Sequence, residues 1–77
     1  MEGLGSRHPR AVKIVLNGEP KRIERARDIP GLLEELGLAA PALLVEHNGL
    51  ALRRDEWPQR ALADGDRVEI IRIVAGG

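Results

Sequence analysis

Apolar residues recur along this chain with two different periods, and the switch from one to the other marks its elements. Val12, Ile14 and Leu16 fall on one face of a two-residue period, which predicts a strand over residues 11–16. Asn17-Gly18 follows, the dipeptide that best tolerates the positive φ angles of a tight hairpin. The returning strand is expected at residues 21–25, short and mostly polar, with Ile23 pointing inward. The period then becomes helical. Ile29, Leu32, Leu33 and Leu36 stand at i, i+3, i+4 and i+7, one apolar stripe. Asp28 is placed to accept from the free N–H groups of the first turn, where Pro30 loses nothing by lacking its own. Gly37 supplies the left-handed residue that ends the helix, while Gly31 inside it costs about 1 kcal/mol relative to alanine.

After the helix, residues 42–47 read as a third strand. Asn48-Gly49 repeats the hairpin signal before a short segment at Leu50–Leu52. Asp55-Glu56-Trp57-Pro58 predicts an irregular or single-turn region, because Pro58 disfavours helix at Trp57. Asp64-Gly65-Asp66 is a turn leading into a last strand over residues 67–74. One amphipathic helix can cover one sheet face only. The order ββαβ(β)β therefore predicts an α+β fold, a mixed sheet of four or five strands wrapped over one helix with the apolar first and last strands central: the β-grasp, ubiquitin-like arrangement. Residues 1–10 are expected to be a disordered lead-in, residues 11–74 the domain and residues 75–77 a flexible tail.

With 77 residues and no cysteine, the domain must hold together on a small core without disulfides. That core must be aliphatic, since there is no Phe or Tyr and only one Trp. Twelve basic and 12 acidic residues cancel, which argues against a general nucleic-acid binder. No apolar run reaches the roughly 18–20 residues of a membrane span, and the polar start carries no signal-peptide pattern, so a cytoplasmic protein is expected.

Catalytic constellations are thin. His8 and His47 are too few and too far apart in sequence for a metal site. Asp64 and Asp66 bracket Gly65 and are accounted for by turn chemistry, and no glycine-rich phosphate loop is present. The chain does not read as an enzyme. Its end is different. Ala75-Gly76-Gly77 follows the last strand, and the alternative to a frayed end is specific: residues without a Cβ thread a carboxylate through a narrow active site. A carboxylate is a poor electrophile until it gains a leaving group such as AMP, so the partner would supply positioning and charge stabilisation. In the last strand Val68 and Ile70 should face the helix, which leaves Glu69, Ile71 and Ile73 on the other side. Ile71 and Ile73 then form a candidate docking patch beside the tail, unless a bulge turns Ile71 inward. Trp57 is expected to be half-buried at the fold edge, and Arg22, Arg25 and Arg27 to be solvated.

Asn48-Gly49, Arg54-Asp55-Glu56-Trp57, the run from Leu62 through Asp64-Gly65-Asp66 to Val68-Glu69-Ile70, and the terminal Gly76-Gly77 together resemble the ThiS family of bacterial thiamine-biosynthesis sulfur carriers. The resemblance covers residues 12–77. Arg53 departs from it, standing where the family usually has proline, and residues 1–10 have no counterpart. The resemblance implies a cycle. A ubiquitin-activating-type enzyme adenylates the Gly77 carboxylate with Mg and ATP, a cysteine desulfurase or other persulfide donor converts it to a thiocarboxylate, and thiazole synthase accepts the sulfur. The carrier would bind no cofactor itself. The absence of cysteine fits, because such a carrier can hold sulfur only at its terminus. Two other readings share the fold: the small subunit of molybdopterin synthase or a tRNA-thiolation carrier, and a ubiquitin-like interaction module or modifier.

Overall fold

A computed structural model describes residues 11–38 and 42–73. Strand β1 (Val12–Leu16) turns through Asn17-Gly18, both at positive φ (50° and 85°), into the antiparallel strand β2 (Glu19–Ile23). Helix α1 (Ile29–Glu35) comes next, followed by β3 (Leu43–His47), β4 (Leu50–Leu52), a 3-10 helix over Arg54–Gln59 and β5 (Arg67–Arg72). The sheet order is β2-β1-β5-β3-β4; β5 runs parallel to β1 and antiparallel to β3. The first and last strands are interior, as their apolar content requires.

Inward-facing Ile14, Ile23, Val45 and Val68 meet Ile29, Leu32 and Leu33 of the helix, all buried, with Val12, Leu16, Leu36 and Ile70 packed around them. Asp28 caps the helix through Oδ1, which accepts from the Gly31 N–H at 2.8 Å. This explains the glycine. A Cβ at position 31 would sit 3.0 Å from that same Oδ1 and 3.4 Å from the Ala26 Cβ, so the intrinsic cost of Gly31 accompanies the cap. Gly37 ends the helix at φ 73°.

Several boundaries differ from the sequence expectation, each for a local reason. The second strand occupies Glu19–Ile23 rather than residues 21–25. A two-residue turn sets Leu16 opposite Glu19, so pairing starts at once. Glu24 and Arg25 leave the sheet because the Glu35 carboxylate takes their backbone N–H groups, and that of Ala26, at 2.7–2.9 Å. These bonds favour the charged carboxylate and hold Glu35 below its usual pKa. The third strand starts at Leu43, one residue late. The last strand ends at Arg72, after which Ile73 donates to the Ala42 carbonyl at 2.7 Å. Trp57 is buried (5% exposed) rather than half-buried: the 3-10 helix packs on α1 and turns the indole inward, with the Arg54 guanidinium 5.2 Å from the ring centroid. Arg22, Arg25 and Arg27 are exposed as expected, Arg22 pairing with Glu24 at 2.9 Å and Arg27 donating to the Ala26 carbonyl.

Candidate functional site

Strand β5 leads directly towards the chain end, and its two halves are built differently. At its start the Asp66 carboxylate accepts from His47 Nε2 (2.7 Å), the Ala63 N–H (2.9 Å) and Asn48 Nδ2 (3.1 Å). Partial burial alone would raise the Asp66 pKa. The hydrogen bonds from His47, Ala63 and Asn48 outweigh it and hold the carboxyl below its usual range. Arg60 Nε donates to His47 Nδ1 at 3.1 Å, which leaves that nitrogen as acceptor and the proton on Nε2. His47 is 4% exposed and spends both ring nitrogens inside the fold, so it is a structural residue, available neither as base nor as ligand. Among the described residues no three metal-capable side chains cluster.

The asparagines of both hairpins also hold β5. Each sits at positive φ (Asn17 at 50°, Asn48 at 51°), which aims its side-chain oxygen along the sheet. Asn48 Oδ1 accepts from the Arg67 N–H and Asn17 Oδ1 from the Ile70 N–H, both at 2.8 Å. The turn signal was legible in the sequence. That the same side chains would clamp a strand 19 and 53 residues away was not.

The far half of β5 is open. Val68 is fully buried and Ile70 partly buried on the helix side, while Ile71 and Ile73 are 48% and 50% exposed on the other. The register with β3 runs unbroken through Leu44↔Ile71, so no bulge turns Ile71 inward. Leu44, also 50% exposed, stands directly opposite Ile71 and completes an apolar patch. Sequence reasoning missed Leu44, although alternation from Leu43 and Val45 carried the signal. The next pair on the same face is Glu46↔Glu69, two like charges opposed across the strands. Ala75, Gly76 and Gly77 lie outside the described residues.

The sequence profile of the ThiS family matches residues 4–77. The chain belongs to the ThiS family. The sulfur carrier protein ThiS of Thermus thermophilus is 39% identical over 62 residues, covering 80% of this chain and 95% of that protein. The crystal structure of the thiamine biosynthesis protein ThiS from Geobacter metallireducens superposes with a TM-score of 0.73 at 32% identity, covering 86% of this chain and all of that one. The β-grasp fold expected from the element order is therefore the observed one. A thiazole synthase of Paramagnetospirillum magneticum is 33% identical over 66 residues, 86% of this chain. The chain spans only 20% of that relative's length, so a ThiS-family segment forms part of a longer polypeptide there. No helix among the described residues is long and apolar enough to cross a membrane.

Proposed function

We propose that this ThiS-family chain is a sulfur carrier for thiamine biosynthesis that holds sulfur as a thiocarboxylate on Gly77. The observation that carries the reading is its likeness, along almost the whole length, to a relative named as a sulfur carrier. The Gly77 carboxylate attacks the α-phosphorus of Mg-bound ATP in an adenylating partner, giving an acyl adenylate and releasing pyrophosphate. A persulfide from a cysteine desulfurase or similar donor displaces AMP to give an acyl disulfide, and a second thiol attacks its donor-side sulfur, leaving the thiocarboxylate and a disulfide between that thiol and the donor. The chain acts as co-substrate rather than enzyme. Gly76 and Ala75 thread the tail, and Ile71, Ile73 and Leu44 dock beside it. The segment's presence within thiazole synthase polypeptides supports thiazole synthase as the acceptor. The same likeness favours the thiamine branch over molybdopterin synthesis, tRNA thiolation or protein modification.

Intact mass spectrometry tests this. With Mg-ATP, the adenylating enzyme and a sulfur donor, the protein should exchange one oxygen for sulfur at Gly77. Removing Gly77 should abolish the exchange with folding unchanged, because the carboxylate then stops about 3.3–3.6 Å short. Sulfur on the truncated chain, or none on the full chain with a competent enzyme, would sink the proposal.

A further inference from the structure

The chain has two asparagines, Asn17 and Asn48, and a glycine follows each. Such pairs are open to spontaneous loss of the side-chain amide, because a residue without a Cβ leaves its backbone nitrogen free to reach the side-chain carbon before it. Backbone geometry does not separate the two sites. Both asparagines are exposed, at φ 50° and 51°, and their glycines lie at 85° and 84°. A Cβ at either glycine would meet nothing within 4 Å, and neither glycine N–H has a backbone acceptor among the described residues.

The side chains differ. Asn48 is held at both ends of its amide: Oδ1 accepts from the Arg67 N–H at 2.8 Å, and Nδ2 donates to the Asp66 carboxylate at 3.1 Å. Asn17 is held at one end only. Its Oδ1 accepts from the Ile70 N–H at 2.8 Å, and its Nδ2 has no partner among the described residues. To react, either side chain must swing Cγ onto the glycine nitrogen and break the bonds that hold it. Asn48 loses one bond more, and that bond is to a charged acceptor.

We infer that Asn17-Gly18 is the site of spontaneous deamidation in the folded protein, and that the Asp66 carboxylate shields Asn48-Gly49 from it. The Gly18 nitrogen bonds to the Asn17 Cγ, the Cγ–Nδ2 bond breaks, and ammonia leaves with the proton of the Gly18 N–H, giving a succinimide. Water then opens either ring carbonyl, to aspartate or to isoaspartate, with no change of oxidation state. Isoaspartate adds one carbon to the main chain of the turn, which then no longer aims an oxygen at the Ile70 N–H. The modification therefore loosens β5 beside Ile71 and Ile73.

The full chain, kept folded in mildly alkaline buffer, is sampled over time beside the same chain unfolded in urea, and tryptic peptides are read by mass spectrometry. Cleavage after Lys13 and Lys21 isolates Asn17, and cleavage after Arg27 and Arg53 isolates Asn48. In the folded chain Asn17 should convert about tenfold faster than Asn48, the effect of one charge-assisted hydrogen bond. In urea the two should convert alike. Hydrogen exchange on the separated isoaspartate form should show the Ile70 amide about fivefold faster than in the parent. Equal rates at the two folded sites, a faster Asn48, or a difference of the same size in urea overturns the inference. So does a folded chain that converts at neither site while the unfolded one converts at both. An unchanged Ile70 amide overturns the consequence for β5.

Discussion

One strand, β5, has two unlike ends. Around Asp66 and the Arg67 backbone the polar groups are densely paired: one carboxylate takes three hydrogen bonds, His47 uses both nitrogens, and Asn48 bonds the strand through backbone and side chain. From Ile70 to Ile73 the strand rests on β3 and one asparagine side chain, with Leu44, Ile71 and Ile73 half in water. The difference teaches how a domain of this size keeps an apolar strand end exposed. An exposed apolar patch and an unfilled ladder add nothing to stability, so the opposite end of the same strand must fix its register. The saturated end positions the strand, and the open end leaves Leu44, Ile71 and Ile73 exposed on one face.

The sharpest way to break the comparison is Asp66→Ala. It strips the acceptor from the buried His47 N–H and from the Ala63 N–H together, and should cost about 2–3 kcal/mol, read as a large drop in the thermal midpoint. A midpoint that barely moved would show that the start of β5 is not its anchor.

A smaller effect should appear with acid. Asp66 and Glu35 are both held below their ordinary pKa in the folded protein, Asp66 because bonds from His47, Ala63 and Asn48 overcome its partial burial, Glu35 because of backbone bonds from Glu24, Arg25 and Ala26. A depressed carboxylate stabilises the fold fully above its unfolded pKa of about 4, and that contribution is lost as pH falls through the folded value. Thermal midpoints should therefore hold above about pH 5 and decline below about pH 4, with a shallower decline in the Asp66→Ala variant. An equally steep decline in that variant would remove Asp66 from the account.

At the open end the expected effect on stability is smallest. Ile71→Asp should stay within about 0.5 kcal/mol of the parent, because the side chain is already half in water. The same change should weaken the complex with the adenylating enzyme by placing a charge in the apolar patch. Loss of the fold would show that Ile71 contributes to the core, and unchanged binding would show that the patch is not a docking face.

Local physics in the sequence determined most of the scaffold. Two Asn-Gly pairs set two tight hairpins, Asp28 and Gly37 bracketed the helix, and alternation in β5 put Ile71 and Ile73 on the outer face. These are short-range facts, decided by backbone sterics and side-chain period within a few residues. The long-range pairings belonged to the tertiary structure alone. Only the β3–β5 register brings Asp66 beneath His47 and sets Leu44 against Ile71. Only the meeting of α1 with the loop after β2 lets Glu35 draw Glu24 and Arg25 out of the sheet, and only the early end of β1, at Leu16 opposite Val68, limits how far β5 is paired on that side among the described residues. A hydrogen bond between residues 19 or 53 positions apart leaves no periodic trace, because it depends on where two segments stop relative to each other rather than on what either prefers by itself.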